Sequence, residues 1–210
     1  MAGTPVLSRI VSAVHEVAAG DRGVEIWIAG PLEGLDEAER ARVHQVFEEP
    51  RFAGPLAGID AAVAALPAAS HPGTSNAQTS HSETSNARTS NPGADDVVLL
   101  LAGDLPFVRT TDLEELIHRC AATGQVATCR DAEGHLQYLH AAWPLSLLRD
   151  RLAALEQVAD RPVGLLYRDL DPVVVDLAMD HLADFDTPED LRRITATAPD
   201  GCRHSGSDPD

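Results

Sequence analysis

The sequence predicts an α/β domain with a largely parallel sheet and helices on both faces. Stretches of strand length alternate with stretches of helical period along the chain. One of them, "DVVLLLAGDLPF", has the continuous aliphatic character of a strand covered on both sides. The 210 residues suit one domain, and with 44% hydrophobic but only 4% aromatic residues the core must be Val, Leu, Ile and Ala.

The elements run in order from the N-terminus. From Pro5, apolar residues at Val6, Leu7, Ile10, Val11, Val14 and Val17 mark one helix face, with Pro5 at the first turn. Gly20 and Gly23 bracket a turn, and "VEIWIA" (24–29) reads as a buried strand. "DEAERARVHQVF" reads as a charged surface helix, and "GPLAGIDAAVAAL" as an Ala-rich helix after a Gly-Pro turn. The aliphatic strand comes next, then "TTDLEELIHRCAATG", a helix with a Thr cap and a Gly stop. "QVATC" and "LQYLHAAW" read as strands around an "RDAEGH" turn. "PLSLLRDRLAALEQV" reads as a helix opened by Pro144, "RPVGLLYRDL" as another and "PVVVDLA" as a late strand. "DTPEDLRRIT" starts a last helix, capped by Asp186 or Thr187, with Pro188, Glu189 and Asp190 in its first turn.

Residues 1–197 form the predicted domain, residues 71–96 an insert within it, and residues 198–210 a loose tail. In the insert, "TSNAQTSHSE" (74–83) is echoed by "TSNARTSNPG" (84–93). This polar repeat has nothing to bury and reads as disordered. It comes after the end of the GPLAG helix, so it is expected at the sheet edge opposite the ligand edge.

Charge narrows the function classes. There are 33 acidic side chains against 16 basic ones, a net charge of -17. Such a surface repels nucleic-acid backbones and anionic membranes, so neither is an expected partner. Every basic residue is Arg, so no mechanism that needs Lys is completed within this chain. Cys120, Cys129 and Cys202 form no C-x-x-C pair, as expected of reduced thiols in a cytoplasmic protein. The nine histidines form no H-x-x-x-H or H-E-x-x-H pattern, so no zinc chemistry is assigned. His135 and His140 flank "LQYL", and each reads either as a ligand-facing histidine or, in preference, as a satisfied or solvent-facing one.

Ligands of parallel α/β sheets sit beyond the carboxyl ends of the strands. Asp104 occupies that position after "VVLLL". It reads either as a turn residue that caps the next element or as a carboxylate for Mg²⁺ between phosphate oxygens. Gly54–Gly58 reads either as an ordinary tight turn or as a helix start whose N–H groups and small side chains admit an anion or a ribose. In "DFDTPEDL", Asp184 and Asp186 point the same way in an extended chain, either as capping acids or as a reach toward the same ion.

Five stretches in order, "AGTPVLSRIV", "EEPRFAGPLAGI", "LLLAGDLPF", "DAEGHLQYLHAAW" and "DFDTPEDL", resemble the molybdenum cofactor guanylyltransferase family, over nearly all of residues 2–194 outside the insert. The resemblance implies a three-layer α/β/α sandwich of the Rossmann-like, nucleotide-binding type. It implies Mg²⁺-dependent transfer of GMP from GTP to molybdopterin with release of pyrophosphate, and partners among molybdoenzymes and cofactor-biosynthesis proteins. Asp104 then matches the catalytic acid that binds the metal and the nucleotide phosphates. Gly54, Pro55, Leu56 and Gly58 match the loop beside the nucleotide. Glu49, or its neighbour Glu48, matches the region of an acid that contacts the nucleotide, and Asp186 a polar position near the metal. Gly30 falls where the family carries an Asn that reads guanine.

The family's first strand and glycine-rich phosphate loop have no counterpart here. The sequence opens on what resembles the segment just after them, so Met1 is expected to be an internal methionine of a protein that starts upstream. Without that central strand its neighbours are expected to carry unpaired backbone groups. Two other functions remain open: a related nucleotidyltransferase using CTP or another acceptor, and a non-catalytic relative that binds a nucleotide or pterin without turnover.

Overall fold

The computed structural model describes residues 4–18, 23–66, 96–105 and 107–177. The insert apart from Asp96, the "DFDTPEDL" segment with Asp186, the tail and Cys202 lie outside the described residues. Helix α1 (Val6–Ala18) leads to strand β1 (Trp27–Ala29), a short helix α2 (Glu37–Arg40), strand β2 (His44–Val46) and helix α3 (Pro55–Ala65). Then come β3 (Val97–Leu101), α4 (Thr110–Thr123), β4 (Ala127–Arg130), β5 (Leu136–Pro144), α5 (Leu145–Ala153), a 3₁₀ turn (Val163–Tyr167) and β6 (Val173–Val174).

The sheet is mixed and lies in two pieces, which corrects the expectation of one largely parallel sheet. β1 and β2 pair parallel as a two-stranded unit, and β3-β5-β4-β6 form a four-stranded one. β5 is antiparallel to both β3 and β4, while β6 is parallel to β4. The cause is the short "RDAEGH" connection, which returns the chain as a hairpin. There the Asp131 carboxylate accepts the N–H groups of Glu133 (3.1 Å) and His135 (2.7 Å) and the Gln137 amide (3.0 Å). Among the described residues, β1 pairs only with β2 and β3 only with β5.

Side chains alternate across the four-stranded sheet. Leu100, Ala141 and Trp143 face α3, α5 and the 3₁₀ turn, through Leu56, Ile59, Val63, Leu148 and Leu166. Ala127, Cys129 and Ala142 face the other way, against Leu116 and Cys120 of α4 and against Val175. Helix α3 also packs on β1 and β2, so it ties the two sheet pieces together. The indole N–H of fully buried Trp143 donates to the Tyr167 hydroxyl (3.1 Å), which in turn donates to the Tyr138 carbonyl (3.0 Å). That closes the polar needs of the largest core side chain.

Two helices differ from expectation. "DEAERARVHQVF" is helical only over Glu37–Arg40, held by a capping box between Asp36 and Glu39, and then becomes β2. Pairing of Trp27 with His44 and of Ala29 with Val46 outweighs the local helical pattern. "RPVGLLYRDL" forms a 3₁₀ turn rather than an α-helix. Helix α4 ends as read, at Gly124 in the left-handed region (φ 66°). Its Thr110 hydroxyl donates to Glu16 of α1 (2.7 Å) instead of capping the helix. Cys120 and Cys129 are buried thiols, neither of them in a disulfide. Burial, with the Asp112 carboxylate adding to it, pushes the Cys129 thiol up to about 12.

Candidate active site

The aliphatic strand delivers Asp104 to the surface. Ala102 makes the last ladder contact, its N–H donating to the Leu139 carbonyl (2.8 Å). The chain then turns at Gly103 and Asp104, exposing Asp104 while Leu105 folds back into the interior. The residue that caps α4 is Arg109, five positions on and without a side-chain capping bond, so Asp104 does not serve as that cap. An exposed acid at a strand's carboxyl end, uncommitted to the next helix, is free to meet a cation.

The Gly54–Gly58 turn is small for two different reasons. Gly54 has φ 88°, ψ 172°, a conformation that L side chains rarely adopt, and a Cβ placed there would meet nothing. Pro55 follows at the start of α3, where its missing N–H costs nothing. The first-turn N–H groups of Leu56 and Ala57 are left without helical acceptors. The Leu56 side chain is fully buried against the core, so only its backbone is available to a ligand. Gly58 is buried against Ala29 of β1, which makes its smallness a packing requirement.

Between the segments that come after β1 and β2 lies a pocket of about 540 Å³. Gly30 and Glu33 line one side and Phe47, Glu48, Arg51 and Phe52 the other. The Gln45 amide donates to the Gly30 carbonyl (2.7 Å) and ties the two segments together. The Arg51 guanidinium lies 3.9 Å from the centre of the Phe47 ring, a cation–π contact. Phe52 has φ 65° and is 90% exposed. A bulky residue in that region costs on the order of 1–2 kcal/mol.

The structure therefore distributes the expected site residues unevenly. Of the two neighbouring acids, Glu48 lines the pocket and its carboxylate accepts the Phe52 N–H (2.8 Å). Glu49 is exposed and lines no part of it. Gly54 lies two residues beyond Phe52, and Asp104 is outside the pocket lining. Gly30 lines the pocket, with only its backbone to offer. Asp186 lies outside the described residues. His140 is buried in β5, and His135 is exposed beside Asp131. Sequence reading missed Phe47, Arg51 and Phe52. The "FEEPRF" stretch signals two aromatics and an Arg near an apolar turn, but nothing in it announces a strained backbone. Among the described residues, no group of three His, Cys, Asp or Glu side chains is placed to hold a metal by itself.

The sequence pattern of the MobA-like NTP transferase domain matches residues 1–173. The chain belongs to the MobA-like NTP transferase family. No curated protein matches it in sequence. Two solved nucleotidyltransferases share the fold of this family member. The 2-C-methyl-D-erythritol 4-phosphate cytidylyltransferase of Thermus thermophilus superposes with a TM-score of 0.52 at 14% identity, over 91% of this chain and 87% of that one. A nucleotidyl transferase from Methanothermobacter thermautotrophicus gives 0.52 at 18% identity, over 88% and 78%. The molybdopterin-guanine dinucleotide biosynthesis protein A of Archaeoglobus fulgidus gives 0.45 at 20% identity, over 75% and 69%. The MobA-like chain is thus an α/β nucleotidyltransferase whose sheet is mixed.

Proposed function

We propose that this MobA-like transferase moves GMP from GTP to molybdopterin, with Mg²⁺ as its metal. The observation that carries the reading is Asp104, exposed at the end of the aliphatic strand of a nucleotidyltransferase fold. In the transfer, a phosphate oxygen of molybdopterin attacks the α-phosphorus of GTP. The new P–O bond forms as the bond to the β-phosphate bridging oxygen breaks, and the electron pair leaves with pyrophosphate.

Asp104 suits a hard cation that arrives with its own ligands. Mg²⁺ keeps several waters and is held by one or two carboxylates together with substrate phosphates, so a full cage of protein ligands is not needed. When bound, the ion offsets phosphate charge at the reacting centre. Gly54 and the N–H groups of Leu56 and Ala57 offer the nucleotide a close, uncrowded approach. Asp186, by the family resemblance, is the second acid for the ion.

Titration of the chain with GTP and with CTP, each with Mg²⁺, followed by a pyrophosphate-release assay with molybdopterin, tests the reading. Guanine-selective, metal-dependent binding with pyrophosphate release is expected. CTP-selective binding points to a cytidylyltransferase, and absence of nucleotide binding to a non-catalytic relative; either result overturns the proposal.

A further inference from the structure

We propose that Phe52 is the platform on which the base of the donor nucleotide stacks, and that Glu48 is the positioning residue that holds it. The inference rests on the nucleotidyltransferase reading and adds the group that grips the base. Phe52 combines two unfavourable features in one residue, a left-handed backbone and a ring left 90% exposed. Neither is repaid by packing within the described structure. The backbone is nevertheless fixed from both sides. The Glu48 carboxylate accepts the Phe52 N–H at 2.8 Å. The carbonyl of Ala53, itself buried, accepts the Asp160 N–H at 2.7 Å. A strained residue held in place by its surroundings, with its side chain bare, is a signature of a ligand contact.

The chemistry around it favours a flat heteroaromatic ring. Phe52 and the Phe47–Arg51 pair line the same pocket, so two aromatic rings and a guanidinium border one space. Its volume, about 540 Å³, is that of a small-molecule site. The protein carries a net charge of -17, so its overall field does not attract a nucleotide. Local contacts must do so, and base–aromatic stacking supplies affinity without charge. Arg40 and Arg51 line the pocket beside Glu33 and Glu48, so its formal charges balance and stacking has to carry the affinity. Gly54, two residues after Phe52, puts the ring next to the turn assigned above to the nucleotide.

The test measures Mg–GTP and Mg–tripolyphosphate dissociation constants for the full chain, Phe52→Ala and Phe52→Trp. Phe52→Ala is expected to weaken Mg–GTP roughly tenfold or more while leaving Mg–tripolyphosphate, which has no base, unchanged. Phe52→Trp is expected to retain GTP binding and to show indole fluorescence quenched by GTP. Glu48→Gln, which keeps a weaker acceptor, is expected to fall between wild type and Phe52→Ala for GTP alone. If wild type binds GTP and Phe52→Ala binds it equally well, the stacking role is wrong and the nucleotidyltransferase reading stands. Equal weakening of both ligands also overturns the stacking role. If wild type binds neither ligand, the functional reading and this inference fall together.

Discussion

Gly58 of α3 lies so close to Ala29 of β1 that a methyl group on it would come within 3.0 Å of the Ala29 methyl. This contact seats the helix that joins the two sheet pieces and whose first turn is the one proposed to face the nucleotide. Replacing a helical Gly by Ala ordinarily gains about 1 kcal/mol of helix propensity. Here the Ala29 Cβ sits on the strand backbone and has no rotamer with which to yield. Gly58→Ala is therefore expected to bring no stabilisation, and Gly58→Val to cost about 1–3 kcal/mol. Ala29→Gly should recover part of the Gly58→Val loss. Urea unfolding of the single and double variants measures it, and strict additivity would show that the contact is not the cause.

β3 presents one paired and one unpaired edge. The Leu145 N–H donates to the Asp96 carbonyl and the Ala102 N–H to the Leu139 carbonyl, so residues 96, 98, 100 and 102 face β5. Val97, Leu99 and Leu101 direct their backbone groups to the other edge, where no described strand pairs with them. Native-state hydrogen exchange should show the amides of Val97, Leu99 and Leu101 exchanging well before those of Val98 and Leu100. Uniform protection along β3 would mean that the outer edge is covered.

Legibility in the sequence tracks the range of the forces involved. β3 and α4 were readable because local pattern alone specifies them: an unbroken aliphatic run, and an apolar period closed by Gly124. β2 was not, because its strand character comes from pairing with β1 and from the Trp27–His44 ring stack (centroids 4.4 Å apart), both long-range. The mixed sheet was hidden because strand-like stretches do not state their direction. In the candidate site, Asp104 was legible as an acid beyond a strand. Phe52 was not, because its proposed role rests on a backbone angle that no residue type in "EPRFAG" dictates.

Stability should depend on pH through His15. Burial, and then the Arg42 charge, hold its imidazole below the ordinary histidine value, and its Nε2 is buried without a hydrogen-bond partner among the described residues. As pH falls, the unfolded chain takes up this proton first, at about pH 6.5. His15 therefore supports the fold fully above that value, and the support is lost as pH drops toward its lower folded pKa. The urea midpoint should fall between about pH 7.5 and about pH 5.5 by more in wild type than in His15→Leu. Equal falls in the two proteins would remove His15 as the cause.

Metal-dependent nucleotide binding through Asp104 is measured by calorimetric titration of GTP into the chain and into Asp104→Asn, each with Mg²⁺ and with EDTA. Wild type is expected to bind GTP only with the metal. Asp104→Asn, which keeps the shape but loses the charge, is expected to weaken Mg–GTP by roughly tenfold or more, about 1.4 kcal/mol per decade. Asp104→Asn binding Mg–GTP as tightly as wild type would remove Asp104 as the metal's ligand.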